Sequence, residues 1–235
     1  MNEDFKHILD TIDKEVYLIA SMSHLSNDEI EPITDGVGDP DLFLISDLNT
    51  TWVCKEPYDY EECGKPVGGG WSLTKDCFMK STKWPVTSWQ RVIYIMYGVK
   101  HNLLYNNMDY IRDDPEMGNI LREVPWINIS KMPGLKSSNT SDLVSAYHIW
   151  KDIVRRQISA FNTRIIIFGG TFGICKKDFI LDSKKPIEVR QVGWVKIEVY
   201  KEKDKIFINA PHPGFSYKKV EPYVDTLIDL IKKYK

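Results

Sequence analysis

Residues 163–171 read TRIIIFGGT. Residues 164–168 hold an apolar run with no polar alternation, so a strand here buries both of its faces, which is the requirement of a parallel sheet covered by helices on each side. Gly169-Gly170-Thr171 ends the run and is placed to start a helix. Working outward, three more short apolar or β-branched runs each stop at a polar loop. Residues 51–54 (TWVC) lead into KEPYD, residues 124–129 (VPWINI) into SKMPGLKSSN, and residues 205–209 (KIFIN) into APHPG. Between them lie helical patterns. Thr140-Ser141-Asp142 is placed to cap a long helix to about Phe161, with Leu143, Tyr147, Trp150, Ile153, Val154 and Ile158 recurring at helical spacing; residues 218–234 make a final helix. Strands alternating with helices predict an α/β fold: three layers, α/β/α, around a central, mostly parallel four-stranded sheet.

The remaining segments fit around that core. Residues 1–50 read as a helical N-terminal cap with two weakly amphipathic patterns, 4–19 and about 26–33, before a turn-rich DGVGDPD stretch. Residues 58–70 (YDYEECGKPVGGG) are the most glycine-rich part of the chain, and residues 71–122 are mainly helical, with Thr87 or Ser88 as a cap and a further helix beginning at Pro115. No repeat or linker divides residues 1–235, so one domain is expected, with residues 51–235 as its α/β core.

Composition narrows the function classes. The chain of 235 residues is 43% hydrophobic and 12% aromatic, enough for a sizeable core, and its formal net charge is −2. A nucleic-acid contact therefore has to be local, since the general basic excess of a non-specific binder is missing. The opening residues show no signal stretch and no run approaches the roughly 18–20 apolar residues of a membrane span, so a cytoplasmic protein without a membrane partner is expected. Cys54, Cys63, Cys77 and Cys175 form no C-x-x-C pair, which argues against zinc or iron–sulfur ligation and for free thiols. No metal or cofactor is expected.

Four loops fall at the C-terminal ends of the four strands, where open parallel sheets bind ligands. Lys55-Glu56-Pro57-Tyr58-Asp59 offers an aromatic ring and two carboxylates, able to hold a water or face a developing cation, or simply to cap a turn. Asn128 can give a donor and an acceptor to the edge of a base, and Lys131 suits a phosphate, although an Asn at a strand end is also a common turn former. Gly170 and Thr171 form a candidate anion site at a helix start, without the G-x-G-x-x-G fingerprint of a dinucleotide site. His212 stands between Pro211 and Pro213, which restrict the backbone around the imidazole; a structural histidine is the competing reading.

The order of these motifs resembles the uracil-DNA glycosylase superfamily in its divergent bacterial members. That family has a strand followed by Gly-Glu-Ala-Pro-Gly and a Gly-x-Pro-Phe-Val-Gly stretch, where this chain has Lys55-Glu56-Pro57 and Gly64-Lys65-Pro66-Val67-Gly68. Its Asn-Val-Val-Lys-x-x-Pro-Pro segment is similar to Asn128-Ile129-Ser130-Lys131-Met132-Pro133-Gly134, its Pro-x-x-Ile-Val-x-x-Gly strand to residues 163–171, and its His-Pro-Ser loop to His212-Pro213-Gly214. The resemblance covers about residues 51–235 and departs at Lys55, which replaces a glycine, and at Gly214, which replaces a serine.

What the resemblance implies is hydrolysis of a base–deoxyribose bond in DNA by a monomer, serving repair or defence. Glu56, with Asp59 in reserve, orients the water and faces the cationic sugar; His212 donates to the departing base. Asn128 reads the flipped base, Tyr58 or Trp71 stacks on it, and Lys131, Gly170, Thr171, Lys218 and Lys219 hold phosphates. Phe215 and Tyr217 are placed to fill the gap in the base stack. From Lys201 onward eight lysines face five acids, the local basic bias that DNA contact needs. A catalytically silent nucleotide-binding module and a hydrolase of free nucleosides or nucleotides are the alternatives.

Overall fold

The computed structural model describes residues 2–181, 184–216 and 218–235. Along the chain, α1 (Asn2–Met22) and the short α2 (Pro40–Ile45) precede β1 (Thr50–Cys54). A small hairpin of β2 (Tyr60–Glu62) and β3 (Lys65–Val67), then α3 (Thr87–His101), lead to β4 (Trp126–Asn128). They are followed by α4 (Thr140–Phe161), β5 (Ile165–Gly169), α5 (Phe172–Phe179), β6 (Glu188–Val192), β7 (Val195–Glu202), β8 (Lys205–Ala210) and α6 (Glu221–Tyr234).

The central sheet has the order β4-β1-β5-β8-β7-β6. Strands β4, β1, β5 and β8 are the expected four and run parallel. The expected strand count is nevertheless corrected from four to six, because β7 adds antiparallel to β8 and β6 antiparallel to β7. The two extra strands escape an apolar-run reading because β6 is a largely exposed edge carrying Glu188, Arg190 and Gln191, and β7 alternates buried with polar residues.

All five residues of β5 are buried, and alternate side chains enter different cores. Ile165 and Ile167 pack with residues of α3 and α6, including Val92, Met96, Leu227 and Ile231. Ile166 and Phe168 pack with residues of α1, α4 and α5, including Ile12, Trp150 and Cys175. Each such side chain contributes roughly 1.5–3 kcal/mol by leaving water, which makes β5 the spine of a three-layer arrangement. Among the described residues no helix is long and apolar enough to cross a membrane.

Two helical expectations fail for local reasons. Residues 26–33 are extended rather than helical: Pro32 disfavours a helical Glu31, and the segment instead forms bridges from Ile30 to Gly68 and from Thr34 to Ser72. Asp114-Pro115 does start a helical turn, but it is the 3-10 segment Pro115–Arg122. The cap of α4 is Asn139, whose Oδ1 accepts from Ser141 N, one residue before the expected Thr140-Ser141-Asp142 cap.

Beneath the loop after β4 lies a buried ion pair. Lys131 Nζ donates to Asp35 Oδ1 and Oδ2 at 2.7 and 2.8 Å and to Gln157 Oε1 at 2.8 Å, with both charged side chains at 0% exposure. Asp35 also accepts from the Asn128 backbone N at 2.7 Å and from Gln157 Nε2 at 2.8 Å. Removing one partner leaves a charge without compensation in the interior. An Asp35→Ala variant should lose about 3–5 kcal/mol of unfolding free energy in urea titration, and Asp35→Leu/Lys131→Met should recover much of it. A single variant as stable as the parent would contradict the load assigned to this pair.

Candidate active site

The polypeptide leaves β1 in one direction to reach β4 and leaves β5 in the other to reach β8, so the crevice between β1 and β5 is a topological switch point. At this end of the sheet lies a cavity of about 620 Å³ lined by Lys55, Glu56, Asn128 and His212 among others. Residues separated by more than 150 positions therefore share one cleft, as the reading of the loops requires.

The acidic loop is held by β4's own continuation. Ile129 N donates to Cys54 O at 2.9 Å, Ser130 N to Lys55 O at 3.3 Å and Gly134 N to Pro57 O at 2.7 Å, extending the parallel pairing of β1 and β4 past the sheet. Gly134 is needed there, because a Cβ at that position would stand 2.0 Å from Glu56 Cγ. Glu56 is thereby fixed against the loop, with its Oε2 buried and lacking a hydrogen-bond partner. A second cavity of about 210 Å³ also touches Glu56 and shares Leu135, Ser137 and Ser138 with the first.

Asn128 is 2% exposed. Its Oδ1 accepts from Trp126 Nε1 at 3.1 Å, which fixes the amide's orientation and leaves Nδ2 buried without a partner. The side chain thus offers the cleft a donor rather than the donor–acceptor pair expected of it, and selects a ligand that brings a carbonyl-type acceptor.

His212 is half-buried, and its Nδ1 accepts from Gly214 N at 3.0 Å. The proton of a neutral imidazole therefore sits on Nε2, making that atom the donor. Burial first, then the charges of Lys55 and Arg91, lower its pKa to about 4. Gly214 packs close against this ring: a Cβ at 214 would lie 3.0 Å from Nδ1.

The aromatic lining is richer than expected. Tyr58 and Trp71 both face the cavity, joined by Trp89 and Trp126. The signal for Trp126 was its place two residues before Asn128, on the same side of a strand. Arg91 was missed altogether; it lies buried on α3 and its Nη1 donates to the carbonyl oxygens of Pro213 and Phe215, clamping the histidine loop. An arginine inside the apolar WQRVIYIMYGV segment was its only mark in the sequence.

The sequence matches no protein-family model and no curated protein. What the site can do therefore rests on its own side chains, and several expected roles need correction. Asp59 does not line the cavity; its Oδ2 accepts from Gly69 N and Trp71 Nε1, both at 2.8 Å, so it steadies the ring beside the site. Lys131 is sealed in its pair with Asp35 and cannot meet a phosphate. Thr171 is fully buried and donates to Val53 O at 2.8 Å, while Gly170 N donates to Ala210 O at 2.8 Å, so neither is available to an anion. Lys218 and Lys219 are exposed between the histidine loop and α6. Tyr217 lies outside the described residues.

Cys54 and Cys175 are buried, Cys77 is half-buried, and Cys63 is exposed. Among the described residues no three His, Cys, Asp or Glu side chains are grouped to hold a metal.

His212 gives a direct electrostatic test. NMR titration of its ring should find a midpoint near 4 against the ordinary 6.5, and Lys55→Met should raise it. Because the unfolded chain takes up this proton below about 6.5 and the folded chain only near 4, this group lowers stability as pH falls through that window and has no effect above it. A midpoint at the ordinary value, unmoved by Lys55→Met, would show that the ring is solvated.

Proposed function

We propose that the chain is a DNA glycosylase of the uracil-DNA glycosylase type, hydrolysing the N-glycosidic bond of a damaged or modified base, and that it works as a cytoplasmic monomer. The observation that carries the proposal is the meeting of Glu56, Asn128 and His212 in one cleft at the ends of β1, β4 and β8, with Glu56 Oε2 and Asn128 Nδ2 both buried and unpartnered. Polar atoms buried without partners are rare, because each forfeits its hydration, and an acceptor and a donor in one hollow are accounted for by a polar ligand that enters it.

The bond between C1′ of the sugar and the base nitrogen breaks with its electron pair going to the base, leaving an oxocarbenium-like sugar and an anionic base. Glu56 faces the cation and takes a proton from the water whose oxygen bonds to C1′. His212, neutral and protonated on Nε2, donates to the departing base where negative charge develops. Asn128 Nδ2 donates to a carbonyl oxygen on the base edge, and Tyr58, Trp71 or Trp89 covers the base's face. The extrusion such enzymes require is paid for by this stacking and by the base-edge bonds.

Mass spectrometry of bases freed from DNA carrying uracil, hypoxanthine, xanthine or bulky modified pyrimidines tests the proposal, with alkali-sensitive strand breaks as the second readout. Release from at least one substrate is expected. Glu56→Gln should slow it about 10²–10⁴-fold, and His212→Ala about 10²–10³-fold. Absence of both free base and alkali-sensitive sites across the panel would remove the glycosylase reading for those substrates.

A further inference from the structure

The two strands that extend the parallel sheet end in a feature that the chemistry above leaves unused. Hairpin β6–β7 turns at Gly193, and Trp194 at its tip is 72% exposed. The hairpin does not need this ring for its own packing, since Val192, Ile197, Val199 and Tyr200 are its buried residues. The ring contact of Trp194 is with Phe215, at 5.0 Å between centroids and 60° between planes. Phe215 in turn lines the candidate active-site cavity, and its carbonyl is held by Arg91. An aromatic pair thus runs from the cavity wall out to the hairpin tip.

The charged residues nearest this pair along the chain are lysines. Lys196 follows Trp194 by two positions, and Lys218 and Lys219 follow Phe215 by three and four; all three are exposed, and among the described residues none of them forms an ion pair. Exposed π-faces flanked by unpaired cations suit a chain of flat bases joined by phosphates, and suit a neutral apolar protein surface poorly.

We propose that Trp194, backed by Phe215, is a stacking platform for an unpaired base of the nucleic-acid strand whose neighbouring nucleotide occupies the cavity. The proposal rests on the glycosylase reading for what fills the cavity, but it assigns a separate surface with its own ligand. In a duplex every base already stacks on its neighbours, so the platform gains a partner only where a nucleotide has left the stack or where the strand is single. The preferred ligand is therefore single-stranded DNA, or a duplex with a gap in its stacking, over an intact duplex.

Fluorescence anisotropy of the full chain with three labelled oligonucleotides tests this: a single strand, a duplex with one tetrahydrofuran abasic site, and the intact duplex. For the first two, Trp194→Ala should weaken binding about 5–150-fold, the equivalent of the ~1–3 kcal/mol of one stacked base, and Trp194→Phe should restore most of the affinity. The slope of affinity against salt should stay unchanged in Trp194→Ala, whereas Lys218→Ala/Lys219→Ala should flatten it, which separates stacking from charge. The exposed position predicts an unaltered melting temperature for Trp194→Ala.

Base release measured on the same variants keeps the two ideas apart. Parent-like affinity of Trp194→Ala for all three DNAs overturns the platform even where bases are released. Weakened binding without any base release supports the platform and counts against the glycosylase. A parent protein that binds none of the DNAs overturns both.

Discussion

One carboxylate organises the working end of this molecule. Asp35 receives Lys131 Nζ, Gln157 Nε2 and the backbone N of Asn128, and so ties the segment before α2, the end of β4 and the C-terminal part of α4 into one buried knot. Burying both charges is unfavourable unless the geometry is good and the remaining polar atoms are satisfied, and here each atom of the lysine–carboxylate contact has partners at 2.7–2.8 Å. The return is rigidity at Asn128. Its backbone is fixed by Asp35 and its amide by Trp126, so the side chain meets a ligand with little freedom left to lose.

The electrostatics of the cleft follow from the burial of His212 and the charges set around it. Burial first, then the charges of Lys55 and Arg91, lower the pKa of His212, so in the proposed reaction the imidazole acts as a hydrogen-bond donor to developing negative charge rather than as a preformed cation. Lys55 adds positive charge beside it, which favours an anionic leaving group and opposes a cationic sugar. Glu56 is then the one group of the acidic loop that can offset the second effect, because Asp59 is committed to Trp71 and the glycine-rich loop. In the proposed reaction Lys55 therefore shifts the balance toward stabilising the departing base.

How much of this was legible in the sequence depends on how far apart the partners stand. The four parallel strands were readable because a strand buried on both faces must be apolar at every position, as residues 165–168 are. The meeting of Glu56, Asn128 and His212 in one cleft was readable because strand ends in such a sheet converge. Lys131 was misread since a lysine in a polar loop looks solvated, and Asp35, its partner, lies 96 residues earlier in the chain. Asp59 and Thr171 were misread for a related reason: a polar side chain near a site looks the same in sequence whether it touches a ligand or holds a neighbouring loop. Strands β6 and β7 were hidden because an exposed edge has no apolar signature.

Several loop amides at the strand ends are already paired within the protein. In many α/β proteins the loop amides at the strand ends cradle a phosphate. Here they are used internally: Ser130 N bonds Lys55 O, Gly170 N bonds Ala210 O, and Gly214 N bonds the imidazole. On a molecule whose net charge is −2, the attraction for a polyanion that the proposal requires would therefore come from exposed lysine side chains such as Lys218 and Lys219. Such attraction is screened by salt and tells one sequence from another poorly, so discrimination falls to the rigid, buried atoms inside the cleft. On the proposed function the fold would thus separate capture at the rim from recognition at the floor of the cleft, whose lining includes the aromatic rings of Trp71, Trp89 and Phe215.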